Sequence, residues 1–510
     1  MSSSGPTKAD GWMDGWMDGL QGIKTKEIIS TNNIITIINN LIRNVFISAA
    51  EKQVLEKSAC GRVWVTVHSR DIRLGPTGRL LDAIELNWDF SSCSTVPTRR
   101  LSGYLLSSPK GLACTSCRIH TSCSYISTSF SRLQIGLFDD RPSSWNNALA
   151  TFPIRQGVRE GHVVTAISVG DGTLPAGWET GPGLRGTHCL WPWVGAGDAQ
   201  IQSYNCLKIQ PNWMQDNAHI INKLPIGNLA LPGTHNAGAW RFDTEISNVA
   251  RDSFVLCQDR SIWAQLVHGI RYLDFRIGYY GTYPREEDRY WLNHNLIRVR
   301  PLVPLLREIR AFLDATREVV FLDAHHFPVG FYEPNGMPIR AVHNGLLRMI
   351  QRELGPHLAL ATQFGTGPGT RGPTLETLVN ANRRLLFSYV DNSIVAANPW
   401  LWPVLPHLWA NTNNPTQLFQ FLDQAIASSP TPGARSSLFS AMAQTTPTVL
   451  DILLLRGSLR ENADAVNRNV TARLATRWRN QANIVSSDFF LGNDVVDVSI
   501  AISRTRANLL

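Results

Sequence analysis

Five short stretches in the second half of the sequence carry side chains that can move protons and neutralise charge. His235 lies in Pro232-Gly-Thr-His-Asn236. Asp274 and Arg276 are separated by one residue, so both project from the same side of an extended strand. His294 lies in Leu-Asn-His-Asn, Asp323 precedes His325 and His326, and Asp488 closes a short apolar run. One histidine can take a proton from an attacking hydroxyl while another gives a proton to a leaving oxygen. An arginine offers a planar fork of donors to phosphoryl oxygens as charge builds on them. Two histidines, several carboxylates and an arginine on one rim would cleave a phosphodiester. Taken singly, each residue has a plainer role: Asp274 and Arg276 as an ion pair, His325 and His326 as side chains satisfied by local hydrogen bonds. Their recurrence at successive strand ends selects the catalytic reading.

The elements that must position them alternate. From Lys223 onward, short apolar strands alternate with amphipathic helices. Ile262, Trp263, Leu266, Val267 and Ile270 recur at helical spacing before the strand Arg271-Tyr-Leu-Asp-Phe-Arg. Leu302, Leu305, Leu306, Ile309, Phe312 and Leu313 do so before Glu318-Val-Val-Phe-Leu-Asp. Further strands are expected at 384–390 and 483–490. This α/β alternation over residues 212–510 predicts a (β/α)8 TIM-barrel-like domain, whose reactive groups belong at the C-terminal ends of the strands. Residues 61–210 read differently. Val63, Val65 and Val67 alternate with polar or aromatic neighbours, as do Ile84, Leu86, Trp88 and Phe90, and Leu133, Ile135 and Leu137. Period-two alternation with Gly/Pro-rich joints predicts an antiparallel β-sandwich-like domain ahead of the barrel. Within it, 95–131 is Ser/Thr-rich and reads as a long loop. Residues 1–60, with Gly-Trp-Met-Asp repeated at 11–18, read as a poorly ordered extension.

The net charge of +8 over 510 residues is spread without a dense Lys/Arg run or a nucleic-acid motif, which argues against DNA or RNA as partner. It suits approach to an anionic membrane surface or a phosphorylated substrate. The apolar stretch 34–50 is broken by Asn39, Asn40, Arg43 and Asn44, so no transmembrane helix is expected. The first thirty residues also lack the basic-then-apolar order of a secretory signal. Seven of the eight cysteines precede residue 210. Disulfides within the β domain are preferred to a zinc site at Cys114, Cys117 and Cys123, because no second ligand pair follows at zinc-finger spacing, and unpaired thiols are the plainer alternative to both. Trp400, Trp402 and Trp409 form an aromatic cluster that would touch a membrane interface if it lies exposed on the barrel rim. Its plainer reading is packing of an irregular loop against the barrel.

The segments Leu231-Pro-Gly-Thr-His-Asn, Gln265-Leu-x-x-Gly-Ile-Arg-Tyr-Leu-Asp-Phe-Arg, Glu318-Val-Val-Phe-Leu-Asp and Val485-Ser-Ser-Asp-Phe-Phe resemble the X domain of phosphatidylinositol-specific phospholipases C. The order and spacing are similar over about 212–500, without the Y, C2 or EF-hand modules of signalling forms. The resemblance implies that His235 is the general base for the inositol 2-hydroxyl and that Asp488 orients it. It implies that Arg276 stabilises the phosphorane-like transition state, that His294 is the general acid for the diacylglycerol oxygen, and that Asp274 is the acidic residue two positions before that arginine. Asn236 departs from the Asp that follows the first histidine in bacterial relatives. Asn236, Asp274 and Asp323 match part of the calcium shell of metal-dependent relatives, but Arg276 sets a fixed positive charge where that metal would lie. No cofactor is therefore favoured, and calcium stays the alternative. The expected substrate is a phospholipid at a membrane surface, with peripheral contact, in a cytoplasmic or secreted setting that the sequence leaves open. The competing functions are a lipid-headgroup-binding pseudo-enzyme and a metal-dependent glycerophosphodiesterase-like hydrolase.

Overall fold

In this computed structural model the described residues are 62–74, 80–90, 133–155, 157–168, 186–240, 252–364, 372–430 and 438–509. The expected extension 1–60, the whole of the expected loop 95–131, and with it Cys114, Cys117 and Cys123 lie outside them. Seven strands come first: β1 (Arg62–Leu74), β2 (Leu80–Asp89), β3 (Gln134–Phe138), β4 (Ala150–Pro153), β5 (Glu160–Ser168), β6 (His188–Gly197) and β7 (Ile201–Ile209). They pair antiparallel as two sheets, β1-β2-β5 and β4-β3-β6-β7. The alternating residues Val63, Val65, Val67, Ile84, Leu86, Ile135 and Leu137 are buried in one core. A disulfide joins Cys189 on β6 to Cys206 on β7.

The second half builds a barrel-like sheet. Its parallel strands are β8 (Leu231–Thr234), β9 (Tyr272–Tyr279), β12 (Val320–His326), β13 (Leu385–Tyr389), β14 (His407–Leu408), β15 (Ser440–Met442) and β16 (Ile484–Ser487). The antiparallel β10 (Tyr290–His294) and β11 (Ile297–Pro301) form a hairpin beyond β9. The order is β14-β15-β16-β8-β9-β12-β13, so the described barrel has seven parallel strands where eight were expected. Beyond β13 only isolated bridges follow, Leu358 to Leu385 and Trp402 to Ser388. Trp402 occupies the place of a regular strand: it is buried, and its indole donates to Ala359 O. Trp400 stacks on Phe387. Of the three tryptophans expected as a rim cluster, only Trp409 is exposed, because the other two fill this seam.

Local sequence fixes the strand entries. The helix Ile262–His268 starts with Ser261 accepting from Ala264 N and ends at Gly269, whose φ of 115° suits glycine. The chain then enters β9 at Arg271, which is fully buried and bonded to Glu318 at 2.8 Å. Glu318 also accepts from Met214 N and Gln215 N at 3.0 and 2.9 Å. Arg271 donates to Pro211 O at 2.8 Å. Thus the polar-looking junction at 210–217 is clamped beneath the barrel, with Trp213 and Met214 buried. Lys208 and Gln210 both reach Asp497 on the C-terminal helix Val495–Ala507.

Candidate active site

Successive strand ends converge as the alternation demands. At the end of β8, His235 N donates to Ser487 O of β16 at 3.1 Å. Gln258 Nε2 bridges His235 O and Ser487 O, both at 2.9 Å, tying the two strand ends together. This register brings Asp488 beside the His235 ring. Nδ1 lies 2.7 Å from Asp488 Oδ1, and Nε2 lies 2.6 Å from an Arg276 terminal nitrogen. A guanidinium only donates, so Nε2 is the acceptor and Nδ1–H donates to Asp488. That is the tautomer a general base needs. Asn467 donates in turn to Asp488 O at 3.1 Å.

Asp274 is fully buried on β9. Its Oδ2 accepts from Asn236 N at 2.9 Å and faces Arg276 Nε at 3.5 Å. Burial pushes its carboxyl up, but Arg276, and then His407, His235 and His325, outweigh burial and hold it below its ordinary range. Asn236 sits at φ 42°, a left-handed turn that asparagine tolerates better than most residues. Its buried amide nitrogen and oxygen have no partner, and neither has Asp274 Oδ1. Buried polar atoms are normally paired, so these open atoms mark a place prepared for a polar ligand. His294 ends β10, half-buried. Burial first, then Arg276 and His235, lower it to about 3. All the residues expected to act chemically, His235, Asp274, Arg276, His294 and Asp488, are thus brought to one end of the barrel.

Asp323 is there too, but its side chain is engaged elsewhere. Oδ1 accepts from Ser388 at 2.6 Å, and Oδ2 accepts from Tyr272 at 2.6 Å and lies 3.0 Å from His407 Nε2. His325 and His407 stack with ring centroids 3.2 Å apart. His325 Nδ1 lies 3.6 Å from Asp323 Oδ2, slightly beyond hydrogen-bond range. Tyr272, Ser388 and His407 were not among the residues expected at the site. They reach Asp323 from separate strands, and only the identity of Tyr272 within the β9 motif could have drawn notice.

These contacts do not suit calcium, the alternative cofactor. Calcium takes six to eight oxygen ligands. Here Asp323 spends both oxygens on protein donors and is flanked by imidazoles, and a guanidinium lies against Asp274. Asn236 and Asp274 alone make too small a shell for calcium.

No family model matches the chain. A PI-PLC X domain-containing protein 3 from Mus musculus is 29% identical over 338 residues, covering 60% of this chain and 97% of that protein. The chain is similar to PI-PLC X-domain proteins over about 60% of its length. Two more distant relatives are PI-PLC X domain-containing protein 2 from Homo sapiens and the variant-surface-glycoprotein phospholipase C of Trypanosoma cruzi. The human protein is 28% identical over 280 residues, covering 50% of this chain and 85% of its own length. The trypanosomal protein is 26% identical over 278 residues, covering 48% of this chain and 68% of its own length. Among solved structures, the phosphatidylinositol-specific phospholipase C of Staphylococcus aureus aligns over 57% of this chain and 97% of its own, at 12% identity and a TM-score of 0.41.

Proposed function

We propose that the chain is a phosphoric diester hydrolase that cleaves phosphatidylinositol-type lipids into diacylglycerol and a cyclic inositol phosphate. The observation that carries this reading is the placement of His235 between Asp488 and Arg276. A base whose orientation is fixed on one nitrogen has its other nitrogen covered only by a guanidinium, a group that also pairs with phosphoryl oxygen. In the proposed reaction Arg276 turns from Nε2 to the phosphoryl group. Nε2 takes the proton of the inositol 2-hydroxyl, whose oxygen bonds to phosphorus. The bond from phosphorus to the glycerol oxygen breaks, and His294 supplies the proton to that oxygen.

The low value for His294 fits this order of events. In the free site burial, Arg276 and His235 keep the ring unprotonated at neutral pH. A phosphodiester anion beside these groups offsets the charge of Arg276 and draws a proton onto His294 as substrate binds. The name of the trypanosomal relative, a phospholipase C, is in keeping with this chemistry.

The test is turnover of phosphatidylinositol, its phosphorylated forms and phosphatidylcholine by the full chain, with cyclic inositol phosphate as the diagnostic product. Binding of inositol lipid without turnover would instead support a headgroup-binding pseudo-enzyme. Turnover of glycerophosphodiesters that requires an added metal would support the other alternative.

A further inference from the structure

Apart from the groups assigned to proton transfer, a second set of ligating side chains meets at the strand ends. Asp323 and His325 lie two residues apart on β12, and His407 comes from β14. Asp323 Oδ2 is 3.0 Å from His407 Nε2 and 3.6 Å from His325 Nδ1. The three atoms all lie within 4.8 Å of one another. Two ligands of a tetrahedral zinc-class ion stand about 3.3 Å apart, given bond lengths of about 2.0–2.1 Å. The 3.0 and 3.6 Å separations bracket that value. His325 Nδ1 is buried and makes no hydrogen bond, so hydrogen bonding does not account for its place in the set.

The surroundings also suit a ligand set. A carboxylate that binds metal is normally oriented by hydrogen bonds from outside the ligand shell. Ser388 donates to Asp323 Oδ1 and Tyr272 donates to Oδ2, each at 2.6 Å. Both can stay while an ion takes the place of the proton between His407 Nε2 and Asp323, that ring keeping its proton on Nδ1. The rings of His325 and His407 are nearly parallel, with 7° between their planes and 3.2 Å between centroids. Sharing one ion requires them to tilt apart. His325, with 24% of its side chain exposed, has room to tilt and gives an ion its way in, while Asp323 is fully buried and His407 nearly so. Among the described residues one other group has such spacing, His235, Cys257 and Asp488. That group is closed. His235 Nδ1 is held by Asp488 and Nε2 by Arg276. Burial pushes the Cys257 thiol well above its ordinary value, away from the thiolate that binds metal.

We propose that Asp323, His325 and His407 bind one zinc-class divalent cation at the strand ends of the barrel. Two imidazole nitrogens and one carboxylate oxygen suit zinc, whereas calcium takes six to eight oxygens. Asn236 and Asp274 take no part. Three protein ligands leave a fourth position for water or an anionic oxygen. In the β9–β12 pairing Asp323 stands opposite Asp274, so the ion adds its charge beside the proposed phosphodiester site.

The experiment titrates zinc alone, without lipid, into the full chain stripped by chelator, and counts the equivalents by calorimetry. The affinity of one equivalent should fall at least about a hundredfold in His325→Ala and in His407→Gln, since outer partners alone are worth about 10–100-fold. The difference between wild type and variants leaves aside any zinc held elsewhere in the chain. X-ray absorption of the zinc that the variants lose should show nitrogen and oxygen at about 2.0–2.1 Å and no sulfur near about 2.3 Å. In chelator His325→Ala should melt with wild type, because its ring is partly exposed and Nδ1 is unbonded. Added zinc should raise the wild-type melting temperature more than that of either variant. A large excess of calcium should leave the zinc in place. Equal zinc binding by wild type and both variants, sulfur in the shell of the lost equivalent, or displacement by calcium overturns the proposal. No substrate is present, so failure of the cleavage reading leaves this measurement unaffected.

Discussion

Arg276 is the side chain whose removal reports most on the site. It contacts His235 Nε2 at 2.6 Å, faces Asp274 at 3.5 Å, and after burial is the largest influence holding His294 down. At an effective dielectric near 20, a unit charge pair at that 3.5 Å separation attracts by about 5 kcal/mol before desolvation. Desolvation and the partial exposure of Arg276 take back a large share. The net worth to a developing phosphoryl charge then falls near the 3–4 kcal/mol, or about 10²–10³ in turnover, typical for a preorganised donor. Arg276→Ala is therefore expected to lose about that factor on phosphatidylinositol vesicles. Two further changes should accompany the loss. The His294 ring should titrate above its value of about 3, and the Asp274 carboxyl should rise, because the cation opposing its burial is gone. Arg276→Lys keeps the charge but not the fork, so it should leave His294 low while turnover stays well below wild type. Histidine-selective nitrogen NMR and a turnover assay read both quantities. An Arg276→Ala protein that keeps turnover within tenfold of wild type, or whose His294 does not move, would refute the assignment.

His235→Ala and His294→Ala should each cut turnover by about 10²–10⁴, and the double variant should be little worse, since the pair acts as one unit; a folded His294→Ala enzyme at full rate would require another acid. Glu318→Gln leaves Arg271 uncompensated at a fully buried position, so chemical denaturation should show a loss of about 3–5 kcal/mol; a loss under 1 kcal/mol would contradict the clamp at the barrel entry. Burial lowers His268 to about 4, so the unfolded chain binds the extra proton between about pH 6.5 and 4. Its stabilising contribution is full above pH 6.5 and falls by roughly 3 kcal/mol as pH drops through that window. Comparing the stability–pH slopes of wild type and His268→Gln isolates this group from Asp494, which burial pushes up to about 6; identical slopes would contradict it.

The sequence by itself determined the α/β alternation, the helix faces and the strand ends on which His235, Asp274, Arg276, His294 and Asp488 sit. Those features are local: a 3.6-residue or two-residue period states which side chains face inward, and a strand's direction states which end bears the reactive groups. Pairing was decided in three dimensions. His235 and Asp488 are 253 positions apart and meet because β16 closes against β8, a neighbour relation that no local period encodes. The same closure fixed the fate of Asp323, whose oxygens are consumed by Tyr272, Ser388 and His407 from three other strands, ending its candidacy as a calcium ligand. It also placed Trp400 and Trp402 in the seam beside β13, as the plainer reading of that cluster had it, and left the aliphatic side chains within 449–455 exposed. Composition reveals that a side chain is apolar; whether it is core or surface depends on what the rest of the chain brings against it.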